Sequence, residues 1–132
     1  MGRFGAVTRL LIIGCGGFLG AIGRYALSGW IQHRFPSPVP WGTMSVNVLG
    51  CFVLGALMGV AQERPVQNVE LQFFLRVGLL GAFTTFSTLG YETVDLFQEG
   101  HMRHGLVSLG GNLLLGGVAV LAGSALARWF FT

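Results

Sequence analysis

The sequence predicts an all-α membrane protein with four transmembrane helices in one domain, residues 1–132. Three observations carry this. Hydrophobic residues make up 52% of the chain and charged residues only 10%, with a mean hydropathy of +0.67. Ordinary soluble domains carry about 25% charged residues. Four apolar stretches reach the roughly 20 residues that cross a bilayer core, and turn-forming or charged segments separate them. A soluble fold of this size has too much surface for its volume to hide so much apolar area.

The first span runs from about residue 10 to 31 and ends at Phe35-Pro36-Ser37-Pro38-Val39-Pro40. Its apolar run continues past Gly14 and Gly20 without a clean cleavage site, so it reads as a span and not as a signal peptide. The second covers about 41–61 and stops at Gln62-Glu63-Arg64-Pro65. The third covers about 71–97 and is followed by Glu99-Gly100. The fourth covers about 105–131. Trp30, Trp41 and Trp129 stand at span ends, where amphipathic rings favour the membrane interface.

Four spans place both termini on one side, with Arg3, Arg9, Arg64 and Arg128. Arg76 lies just inside the third span, and Arg34 and Arg103 fall on the other side. This bias leans toward cytoplasmic termini; a chain that inserts both ways round would show the same small excess. All eight basic residues are Arg and the net charge is +3. They are scattered, which excludes a nucleic-acid patch. Cys15 and Cys51 sit in apolar runs as small hydrophobes. CxxC and HExxH patterns are absent, as is any nucleophile-base pair within the spans, so the chain is not expected to be an enzyme.

Glycine is abundant, at 22 residues. Gly16-x3-Gly20 and Gly55-x3-Gly59 put small residues on one helix face, which lets backbones approach closely in lipid. The spacing serves packing within one chain and between two chains equally well.

Polar groups within the spans cost free energy and are therefore informative. Arg24 either snorkels to the interface or faces an aqueous vestibule and concentrates anions. Asn47 can donate to an anion or bond a neighbouring helix. Ser108 and Asn112 are one turn apart on the fourth span and share a face, a short polar stripe. Glu92, Asp95 and Glu99 follow one another late in the third span, as interfacial or Arg-paired carboxylates. A proton-coupling carboxylate would be expected nearer the midplane.

The third span contains Thr84-Thr85-Phe86-Ser87-Thr88, preceded by Gly78 and Gly81. Glycine and clustered hydroxyls weaken a helix. Unwound backbone at membrane depth survives only where protein or a water-filled cavity buries it, and it frees carbonyls for a cation and hydroxyls or amides for an anion. The alternative is a continuous helix whose hydroxyls bond back to their own turn.

Gly81-Ala82-Phe83-Thr84-Thr85-Phe86-Ser87-Thr88 resembles the third-helix signature of the CrcB/Fluc fluoride channels. Gly20-Ala21-x2-Arg24-Tyr25, Trp41-Gly42-Thr43 with Asn47-x2-Gly50, and Glu92-x2-Asp95 agree in order and spacing. The resemblance implies a passive fluoride exporter of a bacterial or other microbial plasma membrane. It implies an antiparallel, dual-topology homodimer with two pores and a third helix broken near the midplane. It also implies a structural sodium ion at the dimer interface, held by the backbone carbonyls of Gly81 and Thr84. Asn47 and Phe86 then belong to the fluoride pore with Thr88, Ser108 and Asn112, and Arg24 to its vestibule. An aromatic ring has a positive edge that suits a small anion.

The chain departs from the family pattern at Leu89, where a second phenylalanine is usual; Phe83 is a candidate substitute or a lipid-facing residue. Ser108 stands where a tyrosine is frequent, and Ala82 where a glycine is common. The partners expected are fluoride, a second copy of the chain and the lipid bilayer. The rival reading is a small multidrug-resistance-type proton-coupled antiporter, which requires a carboxylate deep in its first span; this first span has none.

Overall fold

The computed structural model describes residues 3–64 and 68–131, and among them the secondary structure is entirely helical. Pro65, expected to help close the second span, lies outside the described residues. Among the described residues four helical segments are long and apolar enough to cross a membrane: Gly5–Arg34, Trp41–Glu63, Val69–Gln98 and Met102–Phe131.

Helix α1 (Arg3–Arg34) ends before Pro36, whose ring disfavours helical backbone in the residue before it. Three prolines within Phe35–Pro40 make a tight turn. Gln32 fastens it: its side-chain amide nitrogen Nε2 donates to the carbonyls of Ser37 (3.0 Å) and Val39 (3.4 Å), and its Oε1 accepts from the Gly42 amide at 3.2 Å. Helix α2 (Trp41–Glu63) starts directly after Pro40 and ends where Arg64 turns extended.

The third span is composite. Helix α3 (Val69–Gln72) is capped by Asn68, whose side chain accepts from the Leu71 amide at 2.9 Å. A π-helical stretch, Phe73–Leu80, follows, then one turn, α4 (Gly81–Phe83). Thr84 (φ −88°, ψ 158°) and Thr85 (φ −150°, ψ 116°) are extended. Helix α5 (Phe86–Gln98) resumes with the Thr85 side chain as its N-cap, closes through left-handed Gly100 (φ 81°), and leads into α6 (Met102–Phe131).

The helices associate as two parallel pairs, α1 with the first half of the third span and α2 with α6. Small residues set both contacts. A Cβ at Gly55 would collide with the Val120 carbonyl, and one at Gly123 with the Phe52 carbonyl. On α1, Gly16 meets the Phe74 and Gly78 backbone, and Gly20 meets the Leu79 carbonyl and the Phe83 amide. Both small-residue faces therefore serve packing within this chain. Close backbone contact replaces the hydrophobic drive that lipid removes. In the most apolar window of each span a third or less of the residues is buried, and Leu10, Leu114 and Leu121 are among the outward apolar side chains. Lipid or another protein surface must cover them.

Candidate functional site

The site grows from the two extended residues of the third span. Extension strips a peptide of its helical partners, and a buried peptide must find others. The Thr85 peptide finds them on α2. Its N–H donates to Asn47 Oδ1 at 2.7 Å, and its carbonyl accepts from Asn47 Nδ2 at 3.1 Å. The same Nδ2 donates to Asn112 Oδ1 at 2.8 Å, and Asn112 Nδ2 donates to the Ser108 carbonyl at 2.8 Å. The parallel packing of α2 on α6 brings Asn47 level with Asn112. Both hydrogens of the Asn47 amide group are thereby engaged.

The hydroxyls organise the other side of Thr85. Thr85 Oγ1 accepts from the Thr88 amide at 3.2 Å and donates to Thr88 Oγ1 at 2.8 Å, with Ser87 Oγ at 3.5 Å. Thr84 Oγ1 donates back to the Leu80 carbonyl at 3.0 Å. Ser108 is fully buried, and its Oγ lacks a partner among the described residues, as does the Oγ1 of buried Thr93.

Four backbone carbonyls, those of Gly81 to Thr84, lose their usual helical donors at the break. The amide four residues after Gly81 belongs to Thr85 and is given to Asn47; the one four residues after Thr84 belongs to Thr88 and is given to Thr85 Oγ1. These oxygens fit a hard cation. Among the described residues no group of three or more His, Cys, Asp or Glu is placed to hold a metal.

Cavities meet at Thr85. One, of about 280 Å³, is bordered by Asn47, Thr85, Phe86, Leu89, Asn112 and Arg76. A second, of about 240 Å³, is bordered by Arg24, Tyr25, Ser28, Thr43, Thr85 and Thr88. A third, of about 320 Å³, shares Ser28 and Thr43 with the second and reaches Gln32 and Glu92. Glu92 Oε1 accepts from Thr43 Oγ1 at 2.9 Å, while its Oε2 has no partner among the described residues.

The structure brings Asn47, Thr85, Thr88, Ser108 and Asn112 into one polar network, with Arg24 on the adjoining cavity. Gly81 and Thr84 border the first cavity. Phe86 is 77% exposed and Leu89 only 3%. Phe83 is set apart: its ring packs between Gly23 of α1 and Gly50 of α2 and borders neither cavity. Glu92 pairs with Thr43 and lines a cavity. Thr85, Thr43 and Arg76 are site residues that sequence patterning does not single out. The one available signal for Thr85 is its place in a hydroxyl cluster, and for Arg76 its charge within an apolar run.

Four apolar helices around an internal polar network define a small multi-pass membrane protein. Comparison with known proteins gives its family. Residues 10–124 match the family model described as "CrcB-like protein, Camphor Resistance (CrcB)". A Dehalococcoides mccartyi protein named "Fluoride-specific ion channel FluC" is 43% identical over 117 residues, covering 89% of this chain and 90% of the relative. The Thermus thermophilus protein of the same name is 42% identical over 110 residues, covering 83% and 86%. "Fluoride-specific ion channel FluC 2" of Nocardia farcinica is 45% identical over 120 residues, covering 91% and 85%. The chain belongs to the CrcB family, a family of ion channels and not of enzymes.

Proposed function

We propose that this protein is a fluoride-selective channel that lets fluoride leave the cytoplasm passively across a bacterial plasma membrane. One observation carries the reading beyond family membership: an Arg-bordered cavity and a Phe86-bordered cavity meet at the Thr85 peptide, which Asn47 holds from both sides. Arg24 raises the local anion concentration. The hydroxyl of Thr88, whose own hydrogen is not spent on Thr85, and the amide of Asn47 offer donors in place of water, and the edge of Phe86 offers positive charge without a full cation. Ser108 and Asn112 extend the polar path along α6. Both Asn47 amide hydrogens are spent within the chain, so an anion held by Asn47 replaces one of these bonds. The Asn112 bond is the one that can yield while the Thr85 peptide stays anchored. Exchange of one bond for another keeps binding weak enough for release.

The working unit in this reading is an antiparallel homodimer of dual topology, with two pores and the third helix broken near the midplane. The largely unburied spans supply surface for a second copy. The Gly81 and Thr84 carbonyls, freed from helical donors, hold a structural sodium ion, four oxygens coming from two chains. Sodium supplies an electrostatic clamp on backbone that otherwise lacks partners.

Ion efflux from liposomes containing the purified protein tests the function. Fast fluoride release with negligible chloride release is the expected result. Proton-coupled cation transport, or no flux, would sink the reading.

A further inference from the structure

A cationic side chain within a membrane span is expensive unless it is paired or faces water. Arg76 stands about two turns into the third span by helix pitch, and among the described residues no ion pair or side-chain hydrogen bond holds it. It borders the cavity that contains Asn47, Thr85 and Phe86, and also a second cavity formed with Leu57, Val60 and Gln72 toward the start of that span. Arg76 is thus the residue common to the two. Among the described residues Cys51 is the only other titratable one bordering either of them, and no carboxylate among them neutralises the guanidinium there.

Its position complements that of Arg24. Helix α1 and the first half of the third span run parallel, as the contacts of Gly16 with Gly78 and of Gly20 with Phe83 require. Arg24 lies about three turns before the end of α1, and Arg76 about two turns after the start of the third span. The two arginines therefore border different cavities that share Thr85, Arg24 about level with that peptide and Arg76 about two turns toward the terminus side of it. The π-helical stretch Phe73–Leu80 contains Arg76; such segments are frequent at functional sites.

We propose that Arg76 forms a second anion-binding position, on the terminus side of the Thr85 junction, which draws fluoride toward that junction as Arg24 does from the adjoining cavity. This rests on the channel reading. A charge bordering a low-dielectric cavity raises local anion concentration and makes flux depend on ionic strength.

The test uses full-length protein in neutral-lipid liposomes and compares wild type with Arg76→Gln and Arg76→Lys. Arg76→Gln lowers fluoride efflux about 5- to 10-fold at low ionic strength and flattens its decline with added impermeant salt. Arg76→Lys keeps efflux within about 2-fold at neutral pH, because the charge remains. It then loses efflux as pH rises through the ordinary lysine range near ~10, a step that wild type lacks. This profile removes the charge in a folded protein and decides the matter even if Arg76→Gln fails to fold. Wild-type flux in folded Arg76→Gln, or a pH profile of Arg76→Lys superimposable on wild type, overturns the proposal. A loss seen only when anionic lipid is present assigns the arginine to lipid phosphates and also overturns it. Absence of fluoride flux from wild type overturns the channel reading itself.

Discussion

The side chain of Asn47 pairs with both the N–H and the C=O of Thr85, at 2.7 and 3.1 Å. One side-chain amide thus does for an extended peptide what a neighbouring strand would do. Without it, two buried backbone groups would lack partners, each at about 1–3 kcal/mol.

Asn47→Ala is therefore expected to fail twice. Melting of the detergent-solubilised protein should fall by several degrees, and fluoride efflux should drop by about 10-fold or more, given the size of that penalty. Unchanged melting would show that the Thr85 peptide finds other partners.

Phe86→Ile should abolish fluoride efflux with little change in stability, because the ring is largely exposed in the chain and isoleucine lacks a positive edge. Efflux equal to wild type would show that this ring does not border the ion path.

Leu89→Phe tests the position where a second ring is usual in the family. Leu89 is buried but borders the ~280 Å³ cavity shared with Phe86. A ring turned into that space avoids the 1–3 kcal/mol typical of about that degree of overpacking, so efflux should be preserved or raised. A block would mean that the pore is packed around leucine.

Sodium should stabilise the protein through the Gly81 and Thr84 carbonyls. Melting in sodium should exceed melting in an impermeant organic cation, by an amount that grows with sodium concentration; stabilisation is about 2.7 kcal/mol at a hundredfold excess over the dissociation constant. Identical melting in the two would remove the proposed clamp.

Gly55→Val should prevent folding or lower melting sharply. Any Cβ at Gly55 meets the Val120 carbonyl, a backbone atom that cannot rotate away. Melting within a degree of wild type would mean that α2 and α6 separate more easily than their contact implies.

The class of the protein is legible without coordinates, because apolar length and rare charge are properties of single segments. Four spans, their turns and the prolines that close the first are legible one stretch at a time. The hydroxyls and glycines around Thr84 and Thr85 mark a weak point of the third span for the same reason. Pairings across the chain were not legible. Asn47 and Thr85 are 38 positions apart, and Asn47 and Asn112 65 positions apart. Which of them meet depends on how closely α2 lies on α6, and glycine contacts such as Gly55 with Val120 fix that distance. Phe83 and Phe86 look alike in the sequence; the turn of backbone at Thr84 and Thr85 sends one ring between α1 and α2 and leaves the other beside the cavity. Only tertiary packing set Arg24 and Arg76 on two cavities that share Thr85, since the depth of a charge in the membrane depends on the direction and partner of its helix.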